Sequence, residues 1–335
     1  MIRFRGKLPF RLCLLAFVAM QAISCSRVSL INEKAFVVPE RLRLKSSTAP
    51  ASRVVGELKV GDEVTVSDRA NAEDGKSWSK VNGPNGESGW VETATLVKEE
   101  IVERSRKIAE EVKEIPTQAV ARSKAQLKLR LTPDRTNDEN VATLLSSGTV
   151  LEIVARERKP RPGNLPTANE GKNVVRYDEW FNVRLKELAV LPAGWIYGGS
   201  IDLDIPGEIV YFASTGRKIV GWQKIATLKG NDSRSGDHYL VLERKVYDAD
   251  ERADFDRVKV LAYDPNSRNY GTPFRDEVLG RYPVVLNMEG TRGAFRLPAI
   301  RSGAANGQPA QATQQDYTVE MLDGGRVKVT KVQKK

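Results

Sequence analysis

Residues 41–66 read RLRLKSSTAPASRVVGELKVGDEVTV, and residues 126–154 read QLKLRLTPDRTNDENVATLLSSGTVLEIV. The two stretches are one pattern written twice. Leu42 corresponds to Leu127, Val54 to Val141, Leu58 to Leu145 and Gly61 to Gly148. Val64 and Val66 correspond to Leu151 and Ile153. Further on, Trp78-Ser79-Lys80-Val81 answers to Trp180-Phe181-Asn182-Val183, and Gly89-Trp90-Val91 to Gly194-Trp195-Ile196. Repetition of this kind marks a structural unit used twice. Within each copy apolar and polar residues alternate over short runs, with Gly, Pro, Asn and Asp between them. Period two with turn chemistry predicts short antiparallel strands. The spacing between matched residues is nearly constant up to Ile153 and then widens, which places an insertion between Arg158 and Tyr177. Added residues cost little entropy in a surface loop.

The run of the first copy resembles the bacterial SH3 (SH3b) family. That family carries an LRLR-S-P strand, a V-x-x-L-x-x-G-x-x-V-x-V stretch, a W-x-K-V strand and a terminal G-W-V. Here these are Leu42 to Ser46, Val54 to Val66, Trp78 to Val81, and Gly89 to Val91. The second copy lacks the serine after its first strand and carries the insertion, so it resembles a divergent member. The resemblance implies a small barrel over 36–97 and another over 120–204, with a long loop at 159–176. It also implies binding of cell-wall or peptide ligands, and it does not imply catalysis. Fold alone does not name a ligand. Trp78, Trp90, Trp180 and Trp195 are the candidate ligand-binding residues. Packing is the competing role, and the Gly-Trp-Val and Gly-Trp-Ile contexts favour it for Trp90 and Trp195, because neighbouring strand residues bury alternate side chains.

Outward from the repeats lies a different kind of segment. Residues 97–115 read VKEEIVERSRKIAEEVKEI. Val97, Ile101, Ile108, Val112 and Ile115 fall on one helical face, and Pro116 stops the run. This predicts an amphipathic connecting helix over 98–116 that docks its stripe on the chain's own core.

The amino end reads as an export signal over residues 1–24. Arg3, Arg5, Lys7 and Arg11 precede an apolar run from Leu12 to Met20, which is too short to span a bilayer. Ala22-Ile23-Ser24-Cys25 resembles a relaxed bacterial lipobox, with Ala22 where Leu is usual and Ser24 where Gly or Ala is usual. The resemblance makes Cys25 the lipidation site, the thiol accepting a diacylglycerol. Several acyl chains anchor stably where one is marginal. The alternative is plain secretion with a cysteine near the cut. Ser26 follows, and by resemblance to enteric sorting rules it favours the outer membrane over the inner.

From residue 208 to 335 strands return. They are predicted at 221–228, 239–247, 257–263, 270–277, 282–288, 293–300, 317–322 and 326–332, and a Gly/Ala/Gln-rich loop at 302–315. Eight short antiparallel strands suggest a sandwich or an up-and-down barrel. The expected class is therefore mainly β: two small SH3-like barrels joined by an amphipathic helix, then an antiparallel β-barrel or sandwich.

Composition removes several chemistries. The 335 residues include two cysteines, Cys13 and Cys25, and one histidine, His238. No structural zinc site can be assembled from these, and no Cys-His nucleophilic pair. Lys and Arg number 53 against 43 Asp and Glu; four of the bases lie in the first 24 residues, so the excess falls from +10 to +6 without them. That excess does not read as nucleic-acid binding, and no cofactor or metal is expected. His238, beside Asp237, is expected in a surface loop, and no Gly-x-Ser-x-Gly elbow accompanies it. Asp248, Asp250, Glu251, Asp254 and Asp256 lack the EF-hand glycine and final glutamate, and read as a solvated acidic turn. Arg156, Arg158, Lys159, Arg161, Lys172 and Arg176 crowd the insertion. On an anchored protein they are candidates for contact with anionic head groups; the competing role is a loop kept soluble by charge. These residues together predict a lipid-anchored binding or scaffold protein of the bacterial envelope, whose partners are the membrane and peptidoglycan or an envelope protein. The alternatives are a lipid or small-ligand carrier in the C-terminal domain, and an envelope hydrolase with an unusual active site.

Overall fold

The computed structural model describes residues 32–161, 177–187, 190–229, 235–247, 252–300 and 312–333. The first copy of the repeat forms seven strands: β1 Glu33–Val37, β2 Arg41–Lys45, β3 Val54–Lys59, β4 Glu63–Asn71, β5 Ser77–Asn82, β6 Ser88–Glu92 and β7 Leu96–Lys98. Their order in the sheet is β3-β2-β6-β5-β4-β1-β7. The second forms β8 Ala119–Ser123, β9 Leu127–Arg130, β10 Val141–Leu145, β11 Val150–Pro160, β12 Tyr177–Arg184, β13 Ala193–Tyr197 and β14 Ile201–Leu203. Their order is β10-β9-β13-β12-β11-β8-β14, the first order repeated strand for strand.

The alternation in sequence becomes two faces. In the first copy Leu42, Leu44, Leu58, Val64, Val66, Val81 and Val91 are buried in one cluster. Leu42 pairs with Leu58 across β2 and β3, and Leu127 with Leu145 across β9 and β10, so matched residues also share register. Gly61 and Gly148 sit at φ +85° and +81° in the turn before β4 and β11, a conformation that excludes most side chains. The insertion begins as a lengthened arm: β11 and β12 stay paired out to Pro160 and Tyr177, so residues 159 and 160 are strand rather than loop.

The connecting helix α1 covers Glu99–Glu111, shorter at both ends than its apolar stripe. Val97 belongs to β7, which pairs with β1. The helix ends near Val112, and Arg184 donates to the carbonyls of Val112, Lys113 and Ile115 at 3.3, 3.2 and 2.9 Å, satisfying groups that a helix end leaves bare. Val102 and Ser105 are buried beneath it, with Ile101 and Ile108 packed alongside. The Ser105 hydroxyl donates to the Ala193 carbonyl at 2.6 Å, pinning α1 to β13.

The C-terminal third contains β15 Arg217–Lys229, β16 Ser235–Lys245, β17 Phe255–Asp264, β18 Asn269–Gly280, β19 Val285–Glu289, β20 Arg292–Ile300, β21 Ala312–Met321 and β22 Val327–Lys331. They form one antiparallel sheet, β15-β16-β17-β18-β20-β21-β22, with β19 paired to β20. It curls as a half-barrel and ends on β15 and β22. Its concave side is packed: Phe295 stacks on Tyr317 at 4.4 Å, Phe274 meets Tyr317 edge-on, and Phe255, Leu297 and Val260 are buried with them. On the other side Ile219, Trp222, Tyr239, Val241 and Leu261 join one core with the second copy and α1. No helix among the described residues is long and apolar enough to cross a membrane.

Candidate functional site

Antiparallel register places the four tryptophans. In the first copy Ser79, Val81 and Val91 point inward, so Trp78, Lys80 and Trp90 share the outer face. Across that face run Lys45, Trp90, Lys80 and Asp68, each directly opposite the next on β2, β6, β5 and β4. Trp78 is a diagonal neighbour of Trp90. The Lys45 ammonium lies 5.1 Å from the centroid of the Trp78 ring, a cation over an indole face. Trp78 is 5% exposed, and its indole Nε1 is buried without a hydrogen-bond acceptor. Trp90 is half-buried, with Lys80 and Asp68 exposed beside it.

The second copy repeats the arrangement with different chemistry. Arg130, Trp195, Asn182 and Ala155 lie opposite one another on β9, β13, β12 and β11. Arg130 is buried and held by the Asn137 carbonyl and the Asn140 side chain at 2.7 and 2.6 Å, and by Asp138 at 2.9 Å. Trp180 is 1% exposed and meets Tyr197 edge-on at 5.8 Å, while the Arg135 guanidinium lies 5.2 Å from the Tyr197 centroid. Trp195 is half-buried. The Asn182 Oδ1 is buried without a donor.

Of the four candidates, Trp90 and Trp195 are the more exposed pair. Trp90 and Trp195 keep an open face, because their neighbours Val91 and Ile196 take the inward positions. Trp78 and Trp180 are the covered ones. Each outer face therefore combines an open indole, a covered indole and a basic side chain. An indole edge and face with cations beside it suits a ligand that offers flat or aliphatic surface together with carboxylate or carbonyl oxygens. Lys45, Lys80, Arg130 and Asn182 were not singled out from sequence, although the matched positions in Trp-x-Lys-Val and Trp-x-Asn-Val carried the signal.

Within the basic insertion Arg156 is placed differently from a surface patch, while Lys159 is exposed and Arg161 partly exposed. Arg156 has a side chain 3% exposed; it pairs with Glu179 and, at 2.7 Å, with Asp254 of the half-barrel. Arg161 reaches the buried Asp178 at 3.1 Å, Lys159 pairs with Glu157 at 2.5 Å, and the Arg158 guanidinium lies 5.4 Å from the Tyr177 centroid. Arg156 is therefore a component of the junction between the second copy and the half-barrel, closed to any external surface. Lys172, Arg176 and Cys25 lie outside the described residues.

Two further expectations are corrected. Asp254 and Asp256 are not a solvated acidic turn: both are buried, Asp254 on Arg156 and Asp256 on Arg217. Asp248, Asp250 and Glu251 lie outside the described residues. Among the described residues no group of three His, Cys, Asp or Glu side chains could hold a metal ion. His238 is not in a surface loop; it is fully buried on β16.

Comparison with known families gives a match in the first sheet. Residues 40–97 are a bacterial SH3 domain. The match takes in β2 to β7, and so the whole row from Lys45 to Asp68 on the outer face of this SH3 domain. No curated protein matches the chain. Bacterial SH3 domains commonly bind peptidoglycan or proteins, which suggests a cell-wall or protein binding module at residues 40–97.

Proposed function

We propose that this chain is a lipid-anchored, non-catalytic binding or scaffold protein of the bacterial cell envelope. Cys25 carries the anchor, and the SH3 domain recognises peptidoglycan peptides or an envelope protein through its outer face. The observation that supports this reading is the SH3 domain at 40–97 with Trp90 open between Lys45 and Lys80. The second sheet repeats its strand order and its open indole, Trp195, and acts as a second, divergent module of the same kind. Two weak sites on one chain raise avidity without any new contact.

Sedimentation of the full chain with purified sacculi tests the binding half of the proposal. Retention that survives physiological salt supports it, and recovery of all the protein in the supernatant contradicts it. Metabolic labelling with palmitate tests the anchor. Label that disappears in Cys25→Ala, with release of the protein from the membrane fraction, is the expected result; an unlabelled chain that stays with the envelope contradicts it.

A further inference from the structure

His238 joins two walls of a groove. The groove measures about 760 Å³ and runs between the β17–β18 hairpin, with Tyr263, Asn266 and Pro273, and the turn after β21, with Leu322, Gly325 and Arg326. In the sheet order β20 lies between the hairpin strand β18 and β21, the strand that leads into the turn. The two walls meet only because the half-barrel curls, and His238 spans the gap. Its Nδ1 accepts the backbone N–H of Tyr263 at 2.9 Å, and its Nε2 lies 3.0 Å from the Gly325 carbonyl oxygen. An N–H on one side requires an accepting nitrogen, and a carbonyl on the other requires a donating one. The neutral ring protonated on Nε2 satisfies both. A second proton on Nδ1 would set donor against donor at Tyr263.

The walls are seated by close packing on glycine. A Cβ on Gly236 would come within 2.2 Å of the Tyr263 ring, so that ring lies against bare backbone of β16. Gly325, at φ +77°, would bring a Cβ to 2.3 Å from the Leu228 side chain of β15.

We propose that His238 is a pH-sensitive clasp: neutral, it holds the two walls of this groove together; protonated, it releases the Tyr263 backbone and the groove opens. The charged and titratable groups around it act as follows. Asp237, next to it on β16, favours the imidazolium but is engaged by Lys224 at 2.7 Å and Thr227 at 2.5 Å on β15. Tyr263 and Asp264 come from β17, Tyr270 from β18, Glu208 reaches in through Tyr239, and Asp323 and Arg326 flank the turn. Burial outweighs the hydrogen bond to Gly325 and the charge of Asp237, and holds the imidazole below its ordinary value.

The chain contains one histidine, so its imidazole gives one set of signals in nuclear magnetic resonance. Titrating the full chain from about pH 7.5 to about pH 4.5 while following amide hydrogen exchange tests the clasp. The expected result is a midpoint below the ordinary 6.5. Between those two values the protection of the Tyr263 amide and of residues 322–327 falls about tenfold per pH unit, after correction for intrinsic exchange. The Val81 amide in the SH3 domain keeps its protection. Two results overturn the proposal: an imidazole that titrates while Tyr263 and the turn keep full protection, or a loss of protection that spreads to Val81 at the same pH. The variant His238→Gln, if folded, is expected to show the opened exchange pattern at every pH; a pH-dependent loss that persists in it contradicts the clasp as well.

Discussion

Gln118 and Val284, 166 residues apart, exchange a complete pair of amide hydrogen bonds: Gln118 Nε2 donates to the Val284 carbonyl at 3.0 Å, and the Val284 N–H donates to Gln118 Oε1 at 2.8 Å. The Gln118 backbone also accepts from Trp222 N–H at 2.8 Å and donates to Ile153 at 2.8 Å. One fully buried residue thus ties β11 of the second copy to β15 and to the segment before β19. Gln118→Leu leaves the Val284 N–H buried without a partner, while Gln223 Nε2 still donates to the Val284 carbonyl at 2.7 Å. The expected loss is about 1–3 kcal/mol, read as a lower urea midpoint. An unchanged midpoint would show that water replaces the side chain.

Arg156 makes the same junction electrostatically. Its guanidinium is buried between Glu179 and Asp254, and the second oxygen of Asp254 accepts the Tyr282 N–H at 2.8 Å. Arg156→Met strands the buried Asp254 charge, at a cost of about 3–5 kcal/mol. The double variant Arg156→Met with Asp254→Leu is expected to recover a large part of that, measured as a thermodynamic cycle in urea. A double variant as unstable as the single one would contradict the pairing.

Acid should loosen the half-barrel before it affects the SH3 domain. Glu243 is buried on β16, and burial alone would raise its pKa. Hydrogen bonds from Lys259 at 2.7 Å and from the Ser214 backbone at 2.8 Å outweigh that and hold it below the ordinary carboxylate value. Its unfolded form therefore binds a proton more readily than its folded form. The stability it contributes is fully present above its ordinary value of 4.5 and is lost as pH falls through and below it. His238 acts in the same direction from a higher starting point, because its folded form also resists protonation. Near-neutral to acidic thermal scans are expected to show a falling melting temperature for wild type and a shallower fall for Glu243→Gln, starting from a lower plateau. Identical slopes in the two proteins would refute this assignment.

The covered and open tryptophans should separate stability from binding. Trp180→Ala removes a fully buried ring that packs on Tyr197 and is expected to cost about 3–5 kcal/mol. Trp90→Ala removes a half-buried ring from an outer face and is expected to cost about 1 kcal/mol. Chemical denaturation of both variants checks the contrast; a Trp90→Ala protein as unstable as Trp180→Ala would make Trp90 a packing residue.

Much of the fold was legible because β structure writes itself in period two. The repeat of Leu42-x-Leu44 and Leu127-x-Leu129 predicted two like sheets, and all eight C-terminal strands were anticipated. The ends of α1 were less legible. Val97 continues the helical stripe but is taken by β7, where it pairs with Phe36 of β1, 61 positions earlier in the chain. The half-barrel's failure to close was hidden, since strand patterns do not state whether the last strand meets the first. The site was legible in part. Alternation put Trp78 with Trp90 on one face, but only the fold shows that Lys45 lies over Trp78 and leaves Trp90 open. His238 was misread because its burial is set by Gly325, 87 residues away, and no local pattern records that contact.

The central claim is that the outer faces bearing Trp90 and Trp195 bind a wall or protein ligand. Co-sedimentation with purified sacculi, comparing wild type with the double variant Trp90→Ala and Trp195→Ala, tests it most directly, with circular dichroism confirming that both are folded. The account predicts that wild type is retained and that the folded double variant moves largely to the supernatant. Equal retention of the two proteins would contradict it.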